Sequence, residues 1–281
     1  TANFERAKAG SDAKQEVYHL AGWKALADPT FMEYHLSASA VHAHAKRMGV
    51  SVTSLVIAAL IASIRDVMPA SERTRAIHMD IPVDLRELFG SDTLRNFFGL
   101  AFVSYVPCGS DEPLEDIARG VQEQLLSATD PDALKRRMNR MIKLEKNPAL
   151  RVAPLFVKDA VLKLAEAKAA KDVTTTVSSI GRIQLEEPTA AYVRDINVLT
   201  STRGLNMVLC TFGDVLSIGI STVFVRHEVI RRFCAVFTDL GIEGTISVSK
   251  DAAQVDHDLK QAQLEEALMH KGPERREVMR S

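Results

Sequence analysis

The chain has 281 residues, is 46% hydrophobic and carries 35 Lys and Arg against 36 Asp and Glu, a formal net charge of -1. That length and apolar content suffice for a substantial core in one large domain or two modest ones, and they argue against disorder. A balanced charge gives no global case for nucleic acid or an anionic membrane, so any electrostatic site must be local.

The polar start, TANFERAKAGSDAKQ (Thr1 to Gln15), lacks the apolar core of a secretory signal and reads as a linker or boundary segment of a longer polypeptide. EVYHLAG (Glu16 to Gly22) and TFMEYHLS (Thr30 to Ser37) alternate apolar and polar residues around Ala27-Asp28-Pro29, which predicts two paired strands. A helix follows from Ser39 to Met48, ended by Gly49. A second starts at Ser51 and runs through LVIAALIASI (Leu55 to Ile64), apolar nearly all round and so a buried helix. This longest apolar run is far short of a membrane span, and Arg65 and Asp66 follow it at once.

Ala76 to Leu85 and Leu100 to Cys108 read as strands meeting at IPVDLRELFGSDTLRNFFG (Ile81 to Gly99). That corner crowds Asp84, Arg86, Arg95 and Asn96 between two apolar runs. Buried charges are tolerated only when paired and hydrogen-bonded, so Asp84 and the arginines are expected to satisfy each other as a brace, with direct substrate contact as the alternative. Helices are predicted over Leu114 to Ser127, Asp132 to Lys146 and Ala149 to Ala170, with Pro154 tolerated near the start of the last.

From Val173 the pattern turns to strand: DVTTTVSSIG, AAYVRDINVLTST, LNMVLCTFGD and VLSIGISTV, with a hairpin at Gly213-Asp214. A helix from Glu228 to Leu240, a strand from Thr245 to Ser249 and an amphipathic tail helix over 251–281, with Val255, Leu259, Ala262 and Leu268 on one side, complete the chain. The order predicts an α/β (α+β) fold, a mixed sheet covered by helices.

The histidines offer no obvious catalytic pair. His42 and His44 point to different sides of a helix, and His227 opens another. His19 and His35 lie on the two early strands, and Asp256-His257-Asp258 diverges around the tail helix, so no metal is expected. Cys108, Cys210 and Cys234 stand far apart without Cys-x-x-Cys spacing, which fits core thiols in a reduced, cytoplasmic chain. No Gly-x-Ser-x-Gly, P-loop, dinucleotide fingerprint or His-Glu-x-x-His occurs. The cluster Lys135, Arg136, Arg137, Arg140, Lys143 and Lys146 has little aromatic interleaving; it reads as a solvated face before an anionic-cofactor surface, and not as a nucleic-acid site.

The succession VYHLAG, AHAKRMGVSVTSLVIAALIASI, Pro82-Val83-Asp84-Leu85-Arg86 with Thr93-Leu94-Arg95-Asn96-Phe97-Phe98, then Ser178-Ser179-Ile180-Gly181 and CTFGDVLSIGIS resembles the C-terminal half of bacterial alcohol acetyltransferase-like proteins. These belong to the condensation-domain and chloramphenicol-acetyltransferase superfamily, and the resemblance covers roughly residues 16–250. It implies one of two similar halves flanking a tunnel. An acyl thioester, such as acyl-CoA, would enter from one side and an alcohol or amine from the other.

The resemblance places Ser178, Ser179 and Gly181 along the tunnel, Ser179 standing where relatives carry Asn. The superfamily's catalytic histidine belongs to a His-His-x-x-x-Asp-Gly motif on the N-terminal half, and no two histidines here are adjacent. The late Asp-Phe-Gly-Trp-Gly motif is also absent, the single Trp being Trp23. No catalytic residue is therefore expected in this chain. It is expected to be the acceptor- and thioester-supporting half of an O- or N-acyltransferase whose N-terminal half is removed, separate or lost. The alternative is a non-catalytic acyl-ligand-binding or assembly module that pairs with another chain.

Overall fold

The computed structural model describes residues 3–4, 16–107, 112–146 and 154–270. Its framework is a seven-stranded mixed sheet in the order β3-β2-β4-β5-β6-β1-β7. The strands are β1 (Thr30–Ser37), β2 (Ile77–Asp84), β3 (Phe98–Tyr105), β4 (Thr175–Arg182), β5 (Leu205–Phe212), β6 (Val215–Thr222) and β7 (Gly244–Val248). β4 runs parallel to β2 and β5, and the remaining pairs are antiparallel.

One side of the sheet is apolar because every other residue is. Met32, Tyr34 and Leu36 on β1 and Ile77, Met79 and Ile81 on β2 are buried, and their neighbours are half-exposed. Over that side lies α2 (Val52–Val67), in which every residue from Ser54 to Ile64 is buried, flanked by α4 (Leu114–Ala128) and α7 (Glu228–Asp239). The all-round apolar pattern that predicted a buried helix arises from these neighbours. Ser51 caps α2 through its side chain, and α1 (Ala38–Met48) is capped by Ser37 and closed by Gly49 at a φ of 72°. On α7, Phe233 and Phe237 pack edge-on against Tyr34.

Burial beside this aromatic cluster pushes the Cys234 thiol up to about 11. A raised folded-state pKa means that the stability gained by burying the neutral thiol is complete below the ordinary thiol range and is lost as pH rises from about 9 towards 11. The denaturation midpoint of the protein should fall across that window, and that of Cys234→Ala should fall less. Equal slopes would refute this.

The free edge of β3 is closed by side chains. The Gln124 amide accepts from Ser104 N and donates to Ser104 O, both at 2.9 Å, in the manner of a neighbouring strand. Arg137, on α5 (Pro131–Glu145), donates to the Leu100 carbonyl and lies over the Phe102 ring. After α5 come α6 (Leu155–Lys171) and, at the end of the described chain, α8 (Ala252–His270). Cys108 and residues 149–153 of the expected third helix lie outside the described residues, as does the tail beyond 270. Asn3 and Phe4, within the segment expected to be a linker, are buried, Phe4 against Tyr105.

Two expected strands do not form. Glu16 to Gly22 makes no ladder with β1: Val17 bridges Ala76 alone and Tyr18 turns into the core. Its alternation reflects one buried side chain over the sheet's end. The expected strand from Ala190 to Thr202 does not form either: Thr189–Tyr192 make a short 3-10 helix, and β4, β5, β6 and β1 are already paired on both sides and leave no edge for the rest.

The tail helix α8 docks on its own domain. The Lys250 ammonium, nearly buried, meets the carboxylates of Asp258 at 2.5 Å and Asp28 at 2.9 Å, while Ala262 is buried and Val255 and Leu259 are half-buried. Lys250→Met should lower unfolding free energy by about 2 kcal/mol, since it leaves two carboxylates without their charged donor. It should also speed proteolysis within α8; unchanged cleavage would refute the latch.

Candidate functional site

The side of the sheet opposite the helices is half-exposed on β2, β3 and β4, whereas Ser217 and Ser221 of β6 and Val208 and Cys210 of β5 are buried on it. Strand alternation sets this: on β4, Thr175 and Val177 are buried while Thr176 and Ser178 are half-exposed, and on β2 His78 and Asp80 alternate with Ile77 and Met79. Thr176 donates to Asp80 Oδ1 at 2.5 Å, across the parallel β2–β4 pair. His78 stacks on Phe102 with ring centres 5.3 Å apart. Burial pulls the His78 pKa below the ordinary imidazole value, against the opposing pull of Asp80 and Asp172. These residues border a cleft of about 970 Å³ that also draws in His19, Lys24, Arg203 and Asn206. Sequence reading missed His78, Asp80, Thr176 and Asn206 as a group, although the period-two pattern of β2 and β4 was the available signal.

Of the expected tunnel residues, Ser178, Ser179 and Gly181 occupy the far half of β4. The register against β5 slips between Ser179 and Gly181, a bulge that Gly181 accommodates at a φ of 84°. Ser179 Oγ accepts a hydrogen bond from Thr53 Oγ1 at 3.1 Å, tying the bulge to the first turn of α2.

The corner from Ile81 to Gly99 differs from expectation in two respects, its exposure and the part played by Arg95. Its strands do pair, Asp84 opposite Phe98, around the single-turn helix α3 (Arg86–Phe89), but its charges are not buried: the Asp84 and Arg86 side chains are 57% and 37% exposed. Arg86 alone acts as the brace, donating to both Asp84 oxygens at 3.0 Å and to the carbonyls of Thr93 and Arg95 at 2.9 Å. These bonds, led by the backbone N–H of Arg86, hold the Asp84 carboxyl below the usual carboxylate range. Arg95 contributes its backbone, not a second ion pair with Asp84, because one planar guanidinium already fills that role. The Arg95 and Asn96 side chains are exposed. Among the described residues no hydrogen bond joins this corner to Ser178, Ser179 or Gly181, although both lie at the same end of parallel strands.

Residues 193–200 cross the open side above Gly219, where the Val198 carbonyl takes the space of a side chain. This crossing brings Asn197 to His35, with Oδ1 2.9 Å from Nε2, and Asn197 also donates to Asp195 at 3.2 Å. His19 and His35, expected as strand neighbours, are separated: His19 borders the cleft. His227 opens α7 as expected, with Nε2 buried without a partner and its pKa lowered by burial. Asp256 and Asp258 hold different lysines, and no group of three or more His, Cys, Asp or Glu among the described residues is placed to hold a metal.

This seven-stranded mixed sheet with its helices matches one half of condensation-type, chloramphenicol-acetyltransferase-like domains. Residues 36–221 match the family described as phthiocerol/phthiodiolone dimycocerosyl transferase C-terminus, and the chain belongs to that family. The solved trichothecene 15-O-acetyltransferase TRI3 of Fusarium sporotrichioides is similar at 16% identity and a TM-score of 0.54, over 85% of this chain and 52% of that one. The EpoB cyclization-docking bidomain of Sorangium cellulosum is similar at 14% identity and a TM-score of 0.53, over 85% and 49%. The chain thus spans about half the length of these solved structures. No curated protein matches it in sequence.

Proposed function

We propose that this chain is the substrate-supporting C-terminal half of an acyltransferase that moves a short acyl group from coenzyme A to an alcohol, as in alcohol acetyltransferase-like proteins, in the cytoplasm. The observation that supports it is the family match over 36–221, on a fold that spans one half of an acyltransferase-like domain.

In this reading the open side of the sheet faces an N-terminal half, in the same or another chain, which carries the His-His-x-x-x-Asp-Gly base. Ser178 and Gly181 then line the tunnel on this side. Ser178, in phase with Thr176 on the open side, presents a hydroxyl, where a donor aimed at the developing oxyanion would lower the barrier, while Ser179 turns to Thr53 on the other side of the sheet. Asp84, Arg86, Arg95 and Asn96 shape the corner beside it, with Arg86 holding the loop closed.

The experiment is thiol release from acetyl-coenzyme A with a panel of alcohols, run on this chain alone and with a histidine-bearing N-terminal half. Turnover only in the combination supports the proposal. Acyl-coenzyme A binding without turnover in any combination replaces it with the non-catalytic binding module.

A further inference from the structure

The two edges of the sheet are finished differently. Gln124 and Arg137 occupy the outer backbone of β3, whereas all five residues of β7 are exposed, Ile246 by 44% and Val248 by 46%. The Ser249 N–H reaches the Phe31 carbonyl at 2.8 Å, so by strand alternation Thr245 and Ser247 also turn their backbone groups to β1. Gly244, Ile246 and Val248 therefore point theirs outward, and among the described residues no hydrogen bond reaches them. Edges that must stay single are guarded by lysine, proline or a bulge. This strand has none of these, and Glu243 is the only charged residue from 242 to 249.

The pattern of this edge selects the strand that fits it. In an antiparallel pair, residues that face each other through two hydrogen bonds recur at every second position. A twofold axis at Ile246 sets Ile246 against its own copy and each Gly244 against a Val248, so every outward N–H and C=O of both strands finds a partner. Alternation puts Ile246 and Val248 on the helix side of the sheet, beside Tyr34 and Met32, and there the two Ile246 side chains meet. Tyr34 and Leu36 stand 2.5 and 2.7 Å from where a Cβ of Gly244 would lie, so Val248 of the second copy, opposite that glycine, packs on these apolar groups. Glu243 falls opposite Ser249, and no like charges are opposed. A second copy of this chain thus matches the edge in hydrogen bonds, shape and charge.

We infer that this chain dimerises through β7, two copies pairing these strands antiparallel about Ile246 to make one continuous sheet. The inference is independent of the acyltransferase reading, because β7 lies four positions from β4 in the sheet, away from Ser178 and Gly181. The strand is short and joins along its edge, which puts the contact at the small end of specific interfaces. The dimer therefore exchanges with monomer in the micromolar to millimolar range.

The test is sedimentation of the full chain from micromolar to millimolar concentration. The expected result is a monomer–dimer equilibrium that Ile246→Pro, and separately Ile246→Lys with Val248→Lys, each weaken about tenfold or more. The Ile246 N–H faces away from β1, so the proline removes a hydrogen bond only between copies. Both positions are exposed, so the melting temperature should hold; if the proline variant fails to fold, the lysine variant decides. Ile246→Cys reads the register: it should cross-link to its own copy under oxidation, since directly opposed Cα atoms lie about 5.5 Å apart, and Thr245→Cys should not. A parent that stays monomeric throughout, a dimer that the variants leave intact, or cross-linking at Thr245→Cys as readily as at Ile246→Cys overturns the inference.

Discussion

Gly219→Ala will unfold or loosen the open side of the sheet. A Cβ at this position stands 2.0 Å from the Val198 carbonyl oxygen and 3.0 Å from its carbon, and both belong to backbone that cannot swing aside as a side chain would. Either β6 shifts or residues 193–200 lift away, and the second course separates Asn197 from His35. Overpacking of this kind costs about 1–3 kcal/mol and can cost more. Gly204→Ala is the control, because a Cβ there meets nothing within 4 Å. Chemical denaturation should show a large drop for the first variant and little change for the second, with faster proteolysis between 193 and 200 for the first. A Gly219→Ala midpoint equal to the parent would mean that the crossing is not held as described.

The larger effect is expected in catalysis. Alone, the chain should release thiol from acetyl-coenzyme A at the uncatalysed rate, because general-base catalysis contributes about 10²- to 10⁴-fold and this sequence has no His-His-x-x-x-Asp-Gly motif to supply that base. His78 is stacked and half-buried, His35 is held by Asn197, and His44 is tied to Arg47. Adding a half that carries His-His-x-x-x-Asp-Gly should raise the rate by that factor, and Ala at both histidines of the motif in that half should return it to background. Within the active pair, Ser178→Ala should lower kcat by more than KM rises, because this hydroxyl shares the open side with Thr176. Full activity from this chain by itself would refute the division of labour.

Much of the fold was legible because local patterns and packing agreed. Ser37, Ser51 and Gly49 mark helix ends by side-chain and left-handed caps that any sequence reader can find. The apolar run of α2 announced a helix enclosed on every side, and Gly213-Asp214 announced the β5–β6 hairpin. The two failures share a cause. Residues 16–22 and 193–201 alternate as strands do, but alternation records only which side chains are buried; forming a ladder also requires a neighbour with a free edge.

The site was legible in pieces. The Ser178–Gly181 stretch and the Ile81–Gly99 corner were recognisable as motifs, but their exposure was not. A crowd of charges between apolar runs suggests burial; the chain instead turns at the end of the sheet, where Arg86 binds Asp84 and two carbonyls while still wet. An ion pair this exposed is screened by water and contributes little, so the corner's order comes chiefly from the guanidinium–carbonyl bonds.

By itself the sequence determined which residues face inward, where helices begin and end, and the absence of a paired-histidine motif, since all three depend on spacing along the chain. Only the tertiary structure decided which distant residues meet. Thr53 reaches Ser179, Thr176 reaches Asp80, and Asn197 reaches His35. Each contact spans strands or helices far apart in sequence, and its partner is set by sheet order and register, which follow from the lowest-energy packing of the whole chain and from no local pattern.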